Sequence, residues 1–386
     1  EMFALDSVMK VKVIPIVIIF MLVVLSSLRA QWGASMDVQS GYASNIFSNY
    51  RQLADYYNNL QGYLNYDAIF KTNGLRLFYQ GNATLFETYN YRNYQLHKAG
   101  LAFYNFLSEK GDKLSAGLDV QTRRHREEYR WYEYNQAYVY VNLKWRVQPQ
   151  LFMYVGTNFR ARDYKELTPY SYWQHWLYVR LNRSFNTGTS IIGELDVMRK
   201  QYLNSETSPL IEFPGLVTDG DGNNQQWVAL VRVGQALSPK TGVSAQFLLR
   251  RNLQSSVRYL INNEGFYYSD DELFDDIFGY ESEQVQVTLK QKLPWNVVAS
   301  LGGTWYLKHY TNRLALDLQG YPFADGRLRD DERFVGWLSL TKTWRYSKSL
   351  HPVQFDVDVS LINNGSNDPY YTYNTHYISF GISQGF

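Results

Sequence analysis

Over stretches of about ten residues the chain alternates apolar and polar side chains, the period-two pattern of a strand with two unlike faces. Val353, Phe355, Val357, Val359 and Leu361 share one face against Gln354, Asp356, Asp358 and Ser360 on the other. Ala137, Val139, Val141, Leu143 and Trp145 alternate in the same way with Tyr138, Tyr140, Asn142, Lys144 and Arg146. Five apolar residues at alternate positions cover about 30 Å of tilted wall, the thickness of a bilayer core. The pattern recurs at Val285, Val287 and Leu289 and at Val243, Ala245, Phe247 and Leu249. Repetition of a signal that is weak in any one segment is the mark of a transmembrane barrel.

Connections between the alternating segments fall into two classes. Short turns rich in Gly, Pro and Asn are predicted at 71–74, 108–112, 148–150, 184–188, 238–242, 293–296 and 347–352. Longer polar stretches lie between them, at 44–59, 87–93, 124–132, 163–169, 204–224, 252–281, 312–332 and 363–374. Strict alternation of short and long connections is how bacterial barrels are wired, with turns on the periplasmic side and loops outside. Seven turns and eight loops predict about sixteen strands, within a range of about 14–18, because 94–107 is ambiguous in face and boundary. The fold class is therefore all-β: a single-chain transmembrane antiparallel β-barrel, with the first candidate strand at Met36 leaving no room for a plug domain.

Composition changes the picture in three places. Aromatic residues make up 17% of the chain, which suits a wall with membrane-interface girdles. Beyond the N-terminus no apolar run approaches the roughly 20 residues of a spanning helix. A net charge of +2 gives no electrostatic case for nucleic acid, and the absence of Cys removes thiolate chemistry, disulfides and a lipoprotein anchor. At the N-terminus, Lys10 and Lys12 precede an apolar core from Val13 to Leu25 and a small residue at Ala30. This is the three-part pattern of a cleavable export signal. The expected organisation is an upstream extension at 1–8, a signal peptide at 9–30 and the barrel at 31–386.

The final strand reads His376, Tyr377, Ile378, Ser379, Phe380, Gly381, Ile382, Ser383, Gln384, Gly385, Phe386. Phe380, Ile382 and Phe386 resemble the C-terminal assembly signal of bacterial outer-membrane β-barrels, with Gln384 departing from the usual apolar position. The resemblance implies a porin-like protein of the outer membrane, in contact with outer-membrane lipid and lipopolysaccharide and inserted by the barrel-assembly machinery. A homo-oligomer is compatible with it.

If the apolar residues face lipid, their neighbours face the interior. Arg123, Lys144, Arg146, Arg160 and Arg180 then form a basic lumen wall, and Glu194, Asp196, Asp356 and Asp358 an acidic one, the two facing one water-filled constriction. Fixed charge of this kind selects ions and orients polar solutes. The expected function is passive diffusion of small polar solutes or ions. The alternative is a closed structural or binding barrel acting through its long extracellular loops in envelope assembly, adhesion or partner binding. Trp173, Trp295, Trp305 and Trp344 suit the membrane interface, whereas Trp176 and Trp337 are candidates for the lumen.

The loop 252–281 interleaves Asp270, Asp271, Glu272, Asp275 and Asp276 with Phe266, Leu273, Phe274 and Phe278. It reads as a solvated external loop, or as one folded into the lumen. Asp219, Gly220, Asp221, Gly222 and Asn223 begin like a calcium loop, but Asn224 and Leu230 stand where Gly and Glu are required. The six His have no metal-binding spacing, and His376 and Ser379, three apart, fall on opposite faces of a strand. No metal, cofactor or catalytic group is expected, and the chain does not read as an enzyme.

Overall fold

The computed structural model describes residues 30–204, 216–217, 222–256, 258–260, 271–345 and 351–386. The predicted extension and signal sequence, up to residue 29, and Asp219 to Asp221 of the calcium-like motif lie outside the described residues.

In chain order the strands are β1 (Ala30–Ala43), β2 (Asp55–Phe70), β3 (Asn73–Phe86), β4 (Tyr94–Phe106), β5 (Lys113–His125) and β6 (Tyr134–Gln148). Next come β7 (Leu151–Tyr164), β8 (Tyr172–Ser184), β9 (Thr189–Tyr202), the two-residue β10 (Leu216–Val217), β11 (Asn223–Ala236) and β12 (Thr241–Gln254). The last are the two-residue β13 (Tyr259–Leu260), β14 (Tyr280–Leu293), β15 (Val297–Leu314), β16 (Leu328–Trp344), β17 (Val353–Ser366) and β18 (Tyr373–Gly385). β10 and β13 pair only with each other, and the remaining sixteen close into one antiparallel barrel in chain order. β18 returns to β1 with Ser35 opposite Gly385 and Ala43 opposite Tyr377, and Phe386 extends the seam through backbone bonds with Ala34. All seven predicted turns and all eight predicted loops separate consecutive barrel strands.

Strand starts differ from the sequence reading at β1, β2 and β16; β2 begins at Asp55 and β16 at Leu328, inside the predicted loops at 44–59 and 312–332. β1 starts at Ala30, not Met36, because its first half offers Gly33, Ala34 and Ser35, too little side chain to show an alternation. The ambiguous 94–107 stretch is β4, and both of its faces are mixed: Leu101 and Phe103 point out while Leu96, Ala102 and Tyr104 point in.

Facing follows the period of two. Val139, Leu177, Leu195, Val231, Val287, Leu301 and Leu361 are all exposed, the expected state of a lipid-facing wall without lipid. Phe380 and Ile382 lie on this outer face. Trp344 and Trp295 stand exposed at the turn end, Trp295 at 83%. Trp173 and Phe159 stack at 6.1 Å near the loop end of the outer wall. Inward aromatics rest on glycines of the neighbouring strand. Gly302 lies directly opposite Trp337, and a Cβ there would fall 2.1 Å from the indole. Trp176 also points inward, packed with Met198, Val228 and Phe278.

Candidate functional site

The charged residues proposed for the lumen sit on the strand face opposite the outer apolar side chains: Arg180 lies between exposed Val179 and Leu181, Asp196 between exposed Leu195 and Val197, and Arg123 over inward Tyr94. They do not gather at one level. Arg123 stands opposite Tyr134, whereas Lys144 stands opposite Lys113, ten residues further along β5. At about 3.3 Å per residue that is about 33 Å of wall. The expectation of one constriction between two walls gives way to charge spread along the barrel's height. Arg180 and Glu194 face each other in register and form an ion pair, so basic and acidic walls meet directly there. β7 and β17 are eight strands apart in either direction, which puts Arg160 and Asp356 on opposite sides of the lumen. Asp356 accepts from Thr341 Oγ1 at 2.6 Å and from Gln354.

A second arrangement emerges at the loop end. In four hairpins the first strand opens with an inward Tyr, and the second carries a cation, any residue, then an aromatic, at its very end in β5, β7 and β9 and at 308–310 in β15. Arg123 lies over Tyr94 at 4.5 Å, Arg162 over Tyr134 at 4.1 Å, Lys200 over Tyr172 at 3.9 Å and Lys308 over Tyr280 at 4.5 Å. The closing aromatic lies opposite the first Tyr each time: Tyr94 with His125, Tyr134 with Tyr164, Tyr172 with Tyr202 and Tyr280 with Tyr310. Each cation–π contact contributes about 0.5–2 kcal/mol. The sequence carries the signal as a Tyr followed 28 residues later by a cation in three hairpins, and 29 later in the first. Only the strand register reveals it.

Two positions of this girdle receive a loop. Of the acidic and aromatic stretch 252–281, the described residues of the connection between β12 and β14 fold inward. Asp276 pairs with Lys200, both side chains only 3% exposed, and also accepts from Tyr202 Oη at 3.2 Å. Asp275 pairs with Lys308 and accepts from Tyr310 Oη. Burial raises the carboxyl of Asp275, but Lys308, Arg329 and Arg333 outweigh it and hold the group below the usual carboxylate range. Phe278, 1% exposed, inserts beside Met198 and Val228, and its carbonyl accepts from Asn252 Nδ2 at 3.1 Å. Leu273 and Phe274 join buried Tyr132, Tyr164, Tyr170 and Tyr202. From the other side Arg313 donates to the Phe274 carbonyl and, at 2.6 Å, to Tyr371 Oη. The loop thus bridges from the β6–β9 side of the mouth to the β15–β18 side. Its apolar residues have the partner that an exposed loop would deny them.

The remaining candidates are not gathered at this site. His97 stacks on Tyr79 outside the barrel, His175 bonds Thr157 at 2.8 Å, and His309 faces Asp330 at 2.9 Å. Among the described residues no group of His, Asp and Glu is arranged to hold a metal ion.

A closed sixteen-stranded barrel with an apolar outer band, a charged lumen and an inward loop is the architecture of outer-membrane channels. No protein-family model matches the chain. No curated protein matches it either. Solved structures of Pseudomonas aeruginosa do. The outer-membrane protein OpdK matches with a TM-score of 0.52 and 9% identity over 92% of this chain and 98% of that one. OpdL gives 0.51 and 12%, over 93% and 99%, and OccK2 (OpdF) gives 0.52 and 10%, over 93% and 98%. At these identities the likeness is one of fold.

Proposed function

We propose that the chain is a porin-like outer-membrane channel for passive diffusion of small polar solutes or ions, narrowed at its loop end by the girdle and the inward loop. The observation that carries this reading is a closed sixteen-strand wall with charge distributed along its inner face. Sixteen tilted strands about 4.8 Å apart enclose a barrel about 30 Å across, too wide for side chains alone to fill. A loop held inside by ion pairs sets the aperture without closing the wall. Inward basic side chains outnumber acidic ones: Lys98, Lys113, Arg232, Lys290 and Lys292 add to the five basic residues already placed, against Asp37, Asp67 and Asp119 added to the four acidic ones, with Lys98 paired to Asp119. OpdK has been solved with vanillate and OccK2 with glucuronate, both small organic acids, which supports testing such solutes first. Contact with lipopolysaccharide, insertion by the barrel-assembly machinery and a homo-oligomeric state belong to the same proposal. So does the absence of an enzymatic role.

The test is single-channel recording of refolded residues 31–386 in a planar bilayer. Stable conductance steps are expected. Silence from correctly folded protein would favour the closed barrel that acts through its loops, a reading the buried aromatic cluster at the mouth also fits.

A further inference from the structure

A separate feature lies at the loop end of β3, β4 and β5. A short 3-10 turn, Asn90–Arg92, drives the side chain of Arg92 into the protein, leaving it 6% exposed. Its Nη1 donates to the Ile46 carbonyl at 3.0 Å, and its guanidinium lies 4.4 Å from the Phe47 ring and 4.7 Å from Phe86. Among the described residues no carboxylate comes within ion-pair distance of it. Buried charges are ordinarily paired, because desolvation without a counter-charge is expensive. Burial accordingly pulls the Arg92 guanidinium below its ordinary pKa, against the opposing influence of nearby Tyr129 and Tyr132.

Arg92 opens on a cavity of about 20 Å³. Arg123 and His125 also line it, with the rings of Phe86, Tyr94, Tyr129 and Tyr132, and no carboxylate contributes to the lining. Both ring nitrogens of His125 are buried, and neither meets a hydrogen-bond partner among the described residues. Since a neutral imidazole carries one N–H donor, at least one donor is left over. The cavity therefore gathers two guanidiniums and an unused donor around a space that suits a single water-sized particle, which needs roughly 10–15 Å³. A space of this size favours a single-atom anion over a carboxylate or phosphate group.

We propose that this chamber is a binding site for one small monovalent anion of halide size, which neutralises Arg92 and locks the loop at 44–54 to the loop at 87–93. The proposal is independent of whether the lumen conducts. The bland alternative is that Arg92 is only a staple between Phe47 and Phe86, and the two differ in their dependence on the anion supplied.

Crystals of the refolded protein soaked in sodium bromide should show an anomalous peak between Arg92 and His125. In solution, the thermal unfolding midpoint in detergent should be higher in sodium chloride than in sodium gluconate at equal ionic strength, because gluconate cannot enter. Arg92→Met should abolish both the peak and the salt-specific shift. If Arg92→Met does not fold, His125→Phe keeps the ring volume, removes the donor and should weaken both. An empty chamber in bromide-soaked crystals, equal midpoints in the two salts, or a shift that survives in both variants would overturn the proposal.

Discussion

At the scale of single residues, the arrangement with most at stake is a buried ion pair between a loop and the wall. Lys308 and Asp275 are both largely shielded from water, so the pair adds little over a neutral packing but is costly to break from one side. Lys308→Met should strip Asp275 of its ion-pair partner and leave a buried carboxylate supported only by Arg329, Arg333 and Tyr310 Oη, a loss of up to about 3–5 kcal/mol. The loop is held by side chains and the wall by a continuous ladder, so the loop should release first. Limited proteolysis should cut it readily in Lys308→Met and more slowly in Lys308→Met with Asp275→Asn; equal cleavage of wild type and both variants would remove the pair's assigned role. Facing is testable at the same scale. Val357 points out and Asp356 points in, so Val357→Arg puts a charge in the apolar band, at roughly 2–4 kcal/mol near its middle, whereas Asp356→Arg exchanges one wetted charge for another. Heat-resistant electrophoretic mobility, the signature of an assembled barrel, should fall sharply in the first variant only.

At the scale of elements, strands and turns were legible because both depend on neighbours in sequence. Val353 to Leu361 shows its two faces within nine residues, and Gly188 at φ +76° announces its own turn. The girdle was not legible in this way. Tyr172 and Lys200 meet only because the turn at 185–188 fixes the register of β8 on β9, and a one-residue slip would turn one of them outward. The loop's direction was open in the sequence, since Asp275 and Asp276 suit a solvated loop as well as an inward one until their partners on two distant strands are known. Its attachment has a pH dependence of definite sign. Because the Asp275 carboxyl is depressed in the folded protein, its contribution is complete above the unfolded value near 3.9 and declines as pH falls below it. Protease protection of the loop should therefore be flat from about pH 8 to pH 5 and weaken only in stronger acid. Loss of protection near pH 6 would assign the attachment to another group. Deleting 271–279 should raise single-channel conductance, and an unchanged step would mean that the aperture is set elsewhere.

At the scale of the whole molecule, selectivity is a property of the summed field and not of any one contact. The chain is nearly neutral at +2, yet its charge is not evenly disposed. Glu281, Glu283, Asp330 and Glu332 lie on the outer face near the loop end, while inward positions favour Lys and Arg. A water-filled lumen with low-dielectric walls concentrates the field of the charges that line it, whereas the outer acids are screened within about 8–10 Å at physiological salt. The near-zero net charge therefore hides an inner surface that is basic over much of its height. Arg180 is offset by Glu194, and Lys200 and Lys308 by the loop acids, which leaves Lys144 and Arg146 toward the turn end as prominent contributors to the field. A reversal potential measured across a potassium chloride gradient should show preference for the anion. Lys144→Glu with Arg146→Glu should move it toward the cation without altering assembly, because both side chains are wetted by the lumen. A wild-type channel that prefers potassium would show that the acids of β9 and β17 govern passage despite the basic excess.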